Sequence, residues 1–180
     1  MRIWFLCAAL MLTACEKQES IIDQIEKTDA AQARLADQNL TTAQSFMEEA
    51  RQKPGAIVRP SGLVIQYNRR GTDASLPSPG ADAAVLVHYE GALPNGEVFD
   101  SSVQRGEPAQ LPVQGLIPGF SEALMLMRPG DTITAYIPPE LGYGPEGSPP
   151  AIPGNSALVF RLQLLAFRTP DGRMVQAPRG

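Results

Sequence analysis

Glycine and proline divide this chain in two. All 16 glycines and all 17 prolines fall at or after residue 54, whereas 16–53, "EKQESIIDQIEKTDAAQARLADQNLTTAQSFMEEARQK", contains neither and is rich in helix formers. A segment without breakers propagates as helix, and one punctuated every few residues is limited to short elements joined by turns. The two halves must therefore be different kinds of structure.

In 16–53 the apolar residues Ile21, Ile22, Ile25, Leu35, Phe46, Met47 and Ala50 form a patchy helical stripe with no sustained heptad. Asn39, Leu40, Thr41 and Thr42 read as a break, with Thr41 or Thr42 capping a second helix that ends before Pro54-Gly55. Two uses fit such a segment: a solvated spacer, or a helical arm through which the chain forms a homodimer.

Beyond Gly55, short β-branched runs predict strands at 63–68, 83–90, 98–101, 110–113, 132–137 and 157–167. Turns fall at 71–80 and at Pro94-Asn95-Gly96, where both Asn95 and Gly96 tolerate positive φ. Phe120, Ala123, Leu124 and Met127 follow the i, i+3, i+4, i+7 spacing of one short helix stopped by Pro129-Gly130. Mostly consecutive strands with one helix argue α+β, and roughly 110 residues suffice for one core.

The N-terminus carries an address. "MRIWFLCAALMLTAC" joins one basic residue to an apolar run from Ile3 to Leu12, the form of a secretory signal. The run falls short of the about 20 apolar residues that span a bilayer. Leu12-Thr13-Ala14-Cys15 at its end resembles a bacterial lipobox, which implies lipidation of Cys15 and loss of residues 1–14. Cys7 would leave with the signal and Cys15 would carry lipid, so no thiol remains for a disulfide, a zinc site or a nucleophile. Arg2 is the only charged residue removed, which leaves 14 basic side chains against 19 acidic and a net charge of about −5. That balance argues against nucleic acid as a partner.

The only histidine, His88, lies in "VHYEGALPNGEVFDSS". Strand alternation sets Val85, Val87 and Tyr89 on one face and Leu86 and His88 on the other. With no triad partners in sequence, the histidine reads as structural.

"VHYEG", "GEVFDSS", "LIPGFSEALMLMRPGD", "PPELGYG" and "IPGNSALVFRLQLL" resemble, in this order and spacing, the FKBP-type peptidyl-prolyl cis/trans isomerases, in the exported branch that includes macrophage infectivity potentiators. The resemblance implies an antiparallel sheet of five or six strands wrapped around one short helix, after a helical N-terminal segment. It implies an apolar pocket for a prolyl ring. Tyr89, Phe99, Asp100 and Tyr143 would be the catalytic positions, with Arg105, Leu116, Ile117, Phe120, Ile152 and Phe160 around the substrate. Asp100 would pair with Arg105 or Tyr89 and stay ionised, and Tyr143 would aim its hydroxyl at a peptide carbonyl. Ala109 stands where an aromatic residue often lines the pocket edge, and Phe120, Ser148 and Ala151 also depart from the common residues, which implies a wider pocket.

No cofactor or metal is implied. The implied partners are proline-containing exported polypeptides, and a membrane reached through the lipid on Cys15; Glu16 beside it favours the outer membrane of a bacterial envelope. A chaperone or binding module on the same fold is the alternative function. The expected organisation is a signal at 1–14, a spacer or arm at 15–55, the isomerase domain at 56–168 and a tail at 169–180.

Overall fold

The computed structural model describes residues 21–178; the signal-like segment 1–14, the lipobox Cys15 and Glu16 lie outside the described residues. By internal contacts the chain forms two compact units, Met1–Ala33 and Arg34–Gly180. The described part of the first is helical, with Ile21 and Ile22 exposed. Among the described residues no helix is long and apolar enough to cross a membrane.

Helix α1 spans Ile21–Arg51 without interruption. The expected break at 39–42 is absent, because the Thr41 and Thr42 hydroxyls donate to the carbonyls of Asp37 and Gln38 at 3.0 and 2.8 Å, four residues back in the same helix. A threonine satisfied by the preceding turn does not need to start a new helix. The second half of α1 is also no spacer. Ala43, Met47 and Ala50 recur at helical spacing and are buried against Val64, Tyr136 and Ala157, with Phe46 packed 5.9 Å from the Tyr136 ring. Residues 34–51 thus belong to the same compact unit as the sheet.

The sheet contains all six expected strands: β2 (Val64–Arg69), β3 (Ala84–Ala92), β4 (Val98–Ser101), β5 (Ala109–Pro112), β6 (Thr132–Ile137) and β7 (Leu158–Arg168). Two three-residue strands extend it. β1 (Ala56–Val58) pairs with β2, and β8 (Met174–Gln176), inside the expected tail, pairs with β7. Three residues carry too little periodicity to be read from sequence. All pairings are antiparallel, in the order β1-β2-β6-β7-β3-β4, with β5 also on β3.

Register decides what each face holds. Tyr89 stands opposite Leu162, Gly91 opposite Phe160, Ala135 opposite Phe160, and Ile137 opposite Leu158. Those residues share the face covered by helix α2, Pro118–Leu126. On the other face Val64, Tyr136 and Val159 lie under α1, beside the polar row His88, Gln163 and Thr132. The core therefore lies between the sheet and α2, and α1 covers part of the sheet's back.

Helix α2 begins two residues before Phe120, with Pro118 at the position where its missing N–H costs nothing. A Cβ on Gly119 would stand 2.5 Å from Ile137 Cγ2, so glycine there permits the helix to lie hard against β6. Beyond its last turn, the Tyr67 hydroxyl donates to the Leu126 carbonyl at 2.8 Å, and the buried Asp131 carboxylate accepts from the Gly71 and Arg128 N–H groups. Of the pair at the β3–β4 turn, only Gly96 takes positive φ, +88°; Asn95 instead accepts the Glu97 N–H on its side chain at 3.0 Å. This is a type I turn closed by a glycine bulge.

Candidate active site

A cleft of about 440 Å³ opens between α2, the concave side of the sheet and the loop after β6. Its base is a chain of aromatic rings supplied by three strands and the helix. Phe120 meets Phe160 edge to face at 4.9 Å, Phe160 meets Phe99 likewise at 5.6 Å, and Tyr89 meets Phe120 at 5.8 Å. Edge-to-face contact sets positive ring edges against negative faces and fixes mutual orientation. Phe120, Phe160 and Tyr89 are buried, while Phe99 is half-buried at the mouth.

Gly91 makes the arrangement possible. A Cβ there would stand 2.6 Å from the Phe160 ring and 2.7 Å from the Phe99 ring, so both rings close over a strand position that has no side chain. The glycine of "HYEG" is a matter of space, not of backbone conformation.

Every residue expected at the pocket except Arg105 lines the cleft: Tyr89, Phe99, Asp100, Leu116, Ile117, Phe120, Tyr143, Ile152 and Phe160. Arg105 sits at the rim and reaches the wall through polar contacts. Its guanidinium donates to the Tyr89 hydroxyl at 2.9 Å and to Asp100 Oδ1, and the Tyr89 hydroxyl donates to Asp100 Oδ2 at 2.5 Å. Asp100 thus pairs with both candidates at once, one oxygen each.

Burial pushes the Asp100 carboxyl up, but the hydrogen bonds from Tyr89 and Arg105, with the charge of the guanidinium, outweigh it and hold the group below its ordinary value. Burial, and then the bond to the carboxylate, pushes the Tyr89 phenol above its usual range. The phenol stays a donor and the carboxylate stays an acceptor across physiological pH.

Tyr143 lines the cleft with 39% of its surface exposed, and among the described residues no group hydrogen-bonds its hydroxyl. That is a free donor over an apolar floor. Ala109, where the family resemblance implies an aromatic residue, pairs with Val87 and packs against the core, and Leu111, two residues along the same strand face, lines the cleft. Ser148 and Ala151 do line it.

His88 faces the back of the sheet, with Nδ1 3.3 Å from the Ser102 hydroxyl. Ser102 is fully buried. Its hydroxyl accepts the Tyr89 N–H at 2.8 Å, so it secures the strand under the site residue. Sequence reasoning missed Ser102, Leu111 and Gly115. Alternation within 110–113 carried a signal for Leu111; nothing local distinguishes Ser102 from the serine before it.

Residues 77–165 match the family model described as FKBP-type peptidyl-prolyl cis-trans isomerase. The chain is 38% identical over 130 residues to the peptidyl-prolyl cis-trans isomerase Mip of Coxiella burnetii, covering 72% of this chain and 55% of that protein. It is 34% identical over 166 residues to the outer membrane protein MIP of Legionella longbeachae, covering 89% of this chain and 70% of the relative. The chain thus spans about half the length of the first relative and more of the second. The crystal structure of FkpA from Escherichia coli superposes with a TM-score of 0.68 at 32% identity, over 89% of this chain and 76% of that one.

Proposed function

Because this chain belongs to the FKBP-type peptidyl-prolyl cis-trans isomerase family, we propose that it catalyses rotation about X-Pro bonds in the cleft over Phe120 and Phe160. The observation that carries this reading is an open, aromatic-floored hollow lined by the Tyr143 hydroxyl, which has no hydrogen-bond partner among the described residues.

Rotation breaks amide resonance against a barrier of about 18–20 kcal/mol, and no covalent bond is made or broken. A site needs neither nucleophile nor metal; it needs to favour the half-rotated bond. Water solvates the planar, polarised amide well, whereas the twisted one is less polarised. A hollow floored by Phe120 and Phe160 and walled by Tyr89, Phe99, Ile117 and Ile152 holds the prolyl ring and excludes water, which favours the twisted form. Tyr143 donates to a neighbouring carbonyl and fixes the peptide's orientation. Asp100 and Arg105 hold the Tyr89 ring upright in the wall. Each tenfold acceleration requires about 1.4 kcal/mol of preference for the transition state, so a few such effects suffice.

The setting follows from the first fifteen residues. Cys15 is lipidated after removal of 1–14, and the isomerase faces the periplasm from the outer membrane of a bacterial envelope, where it speeds proline-limited folding of exported proteins. The lipobox-like Leu12-Thr13-Ala14-Cys15 supports this, as does the name of the Legionella longbeachae relative, an outer membrane protein.

A protease-coupled assay on a proline-containing tetrapeptide tests the activity. The expected result is acceleration over buffer that is lost when the cleft is filled; folded chain with no acceleration overturns the reading.

A further inference from the structure

The loop that forms one wall of the cleft is held from behind by α1. Its inner limb presents Ser148, Ala151 and Ile152 to the hollow. Its outer limb meets the helix through two bonds: Asn39 Nδ2 donates to the Gly154 carbonyl at 2.9 Å, and Asn155 Nδ2 donates to the Ala36 carbonyl at 3.1 Å. Helix amide binds loop carbonyl and loop amide binds helix carbonyl. We propose that Asn39 and Asn155 are positioning residues, an amide clasp by which α1 sets the cleft wall; the proposal rests on the isomerase reading above.

The loop is built to move as one body, which lets the clasp on its outer limb act on its inner one. A Cβ on Gly147 would stand 2.3 Å from the Ile152 carbonyl oxygen, and one on Gly154 would stand 2.0 Å from that of Pro145, so the two limbs touch backbone to backbone. Ser148 and Ile152 exchange both N–H bonds, at 2.7 and 3.0 Å. Of the loop's side chains, Pro145, Glu146, Ser148, Pro149, Pro150, Ala151 and Pro153 are exposed, and Ile152 is the one buried apolar anchor. Besides the clasp, the body is held by Ile152 and by two backbone bonds at its base, from the Gly147 N–H to the Tyr143 carbonyl at 3.1 Å and from the Asn155 N–H to the Gly144 carbonyl at 2.8 Å.

Asn155 adds an independent sign. It is the one non-glycine residue with positive φ, +57°, among the described residues. Glycine adopts that conformation at lower cost. An asparagine there is accounted for by what its amide holds. Tyr143 has a further support in the 3-10 turn Pro139–Leu141, where the Gly142 and Gly144 N–H groups donate to the Pro139 carbonyl at 3.0 and 2.9 Å.

A loose wall must be ordered each time a peptide binds, so losing the clasp weakens binding and spares the rotation step. The test compares the full chain with Asn39→Ala, Asn39→Asp, which keeps the shape but removes the donor, and Asn155→Gly, which keeps the backbone conformation and removes the amide. Thr42→Ala, on the same helix, is the control. The expected result in all three variants is a KM raised about threefold to tenfold, the size of one neutral hydrogen bond, with kcat unchanged. Amide exchange at Ser148, Ile152 and Asn155 should speed up by a similar factor while β6 keeps its protection. Loop exchange and KM equal to the control in both Asn39→Asp and Asn155→Gly overturn the clasp. A parent chain with no turnover overturns the isomerase reading instead, and the exchange measurement then decides the clasp alone.

Discussion

At Asp100, desolvation and hydrogen bonding pull the carboxyl in opposite directions, and the two donors win. A group whose folded pKa is depressed contributes stability that is present above its ordinary value, about 3.9, and lost as pH falls through the lower folded one. Activity is therefore expected to be flat through neutral pH and to fall only below about pH 4, as the contacts to Tyr89 and Arg105 dissolve. In Asp100→Asn that acid limb should vanish from the pH profile of kcat/KM. Because Asp100 and Arg105 are both nearly half exposed, solvent screens the pair and the cost in stability stays small. Tyr143 allows a cleaner test of chemistry at this scale. In the proposed role, removing its hydroxyl in Tyr143→Phe deletes one hydrogen bond to substrate and none among the described residues, so kcat/KM should drop about threefold to tenfold with an unchanged melting midpoint. The identities of these residues were legible in sequence through the family blocks. The double use of Asp100 was not, since whether one carboxylate meets one donor or two depends on the side-chain geometry of two strands and a turn.

Among the elements, β3 and α1 differ most in how much of their role could be read beforehand. Alternation along β3 gave the faces of Val85, Val87, Tyr89 and His88 without coordinates, because a strand's period is two whatever lies against it. The role of Gly91 needed the register: only with Phe160 opposite and Phe99 one strand away does an absent side chain matter. Gly91→Ala should push both rings from the cleft floor, costing about 1–3 kcal/mol as overpacking does, measurable as a lower denaturant midpoint together with weakened turnover. For α1 the stripe Ala43, Met47, Ala50 was visible, but its partner surface was not. That surface consists of Val64 from β2, Tyr136 from β6 and Ala157 beside β7, brought together from distant parts of the chain. Met47→Ala, at a site 2% exposed, should cost about 2–5 kcal/mol, the range for emptying a buried methionine site, as read by equilibrium unfolding.

On the scale of the whole molecule, the sheet is covered on both faces, by α2 over the cleft and by the second half of α1 behind it. A chain cut to begin at residue 55 would lose Phe46, Met47 and Ala50 from the back of the sheet and expose Val64 and Tyr136. Its thermal midpoint should lie below that of a chain retaining 34–54, a comparison that calorimetry can make directly. The proposed address makes a separate prediction. Cys15→Ser should shift the protein from the membrane pellet to the soluble fraction on cell fractionation while leaving turnover unchanged, because the lipid anchors the chain and takes no part in the cleft.

The sequence by itself determined the α+β class, the six principal strands, the short helix and the aromatic residues of the cleft. Those are set by local periodicity, by breakers and by blocks that a family shares. Tertiary structure alone decided that the second half of α1 belongs to the folded unit, that Leu111 lines the cleft, and that the Asn39 and Asn155 amides each reach a backbone carbonyl more than a hundred residues away. Each of these depends on which surfaces lie against one another, and a chain's local preferences do not specify its distant neighbours.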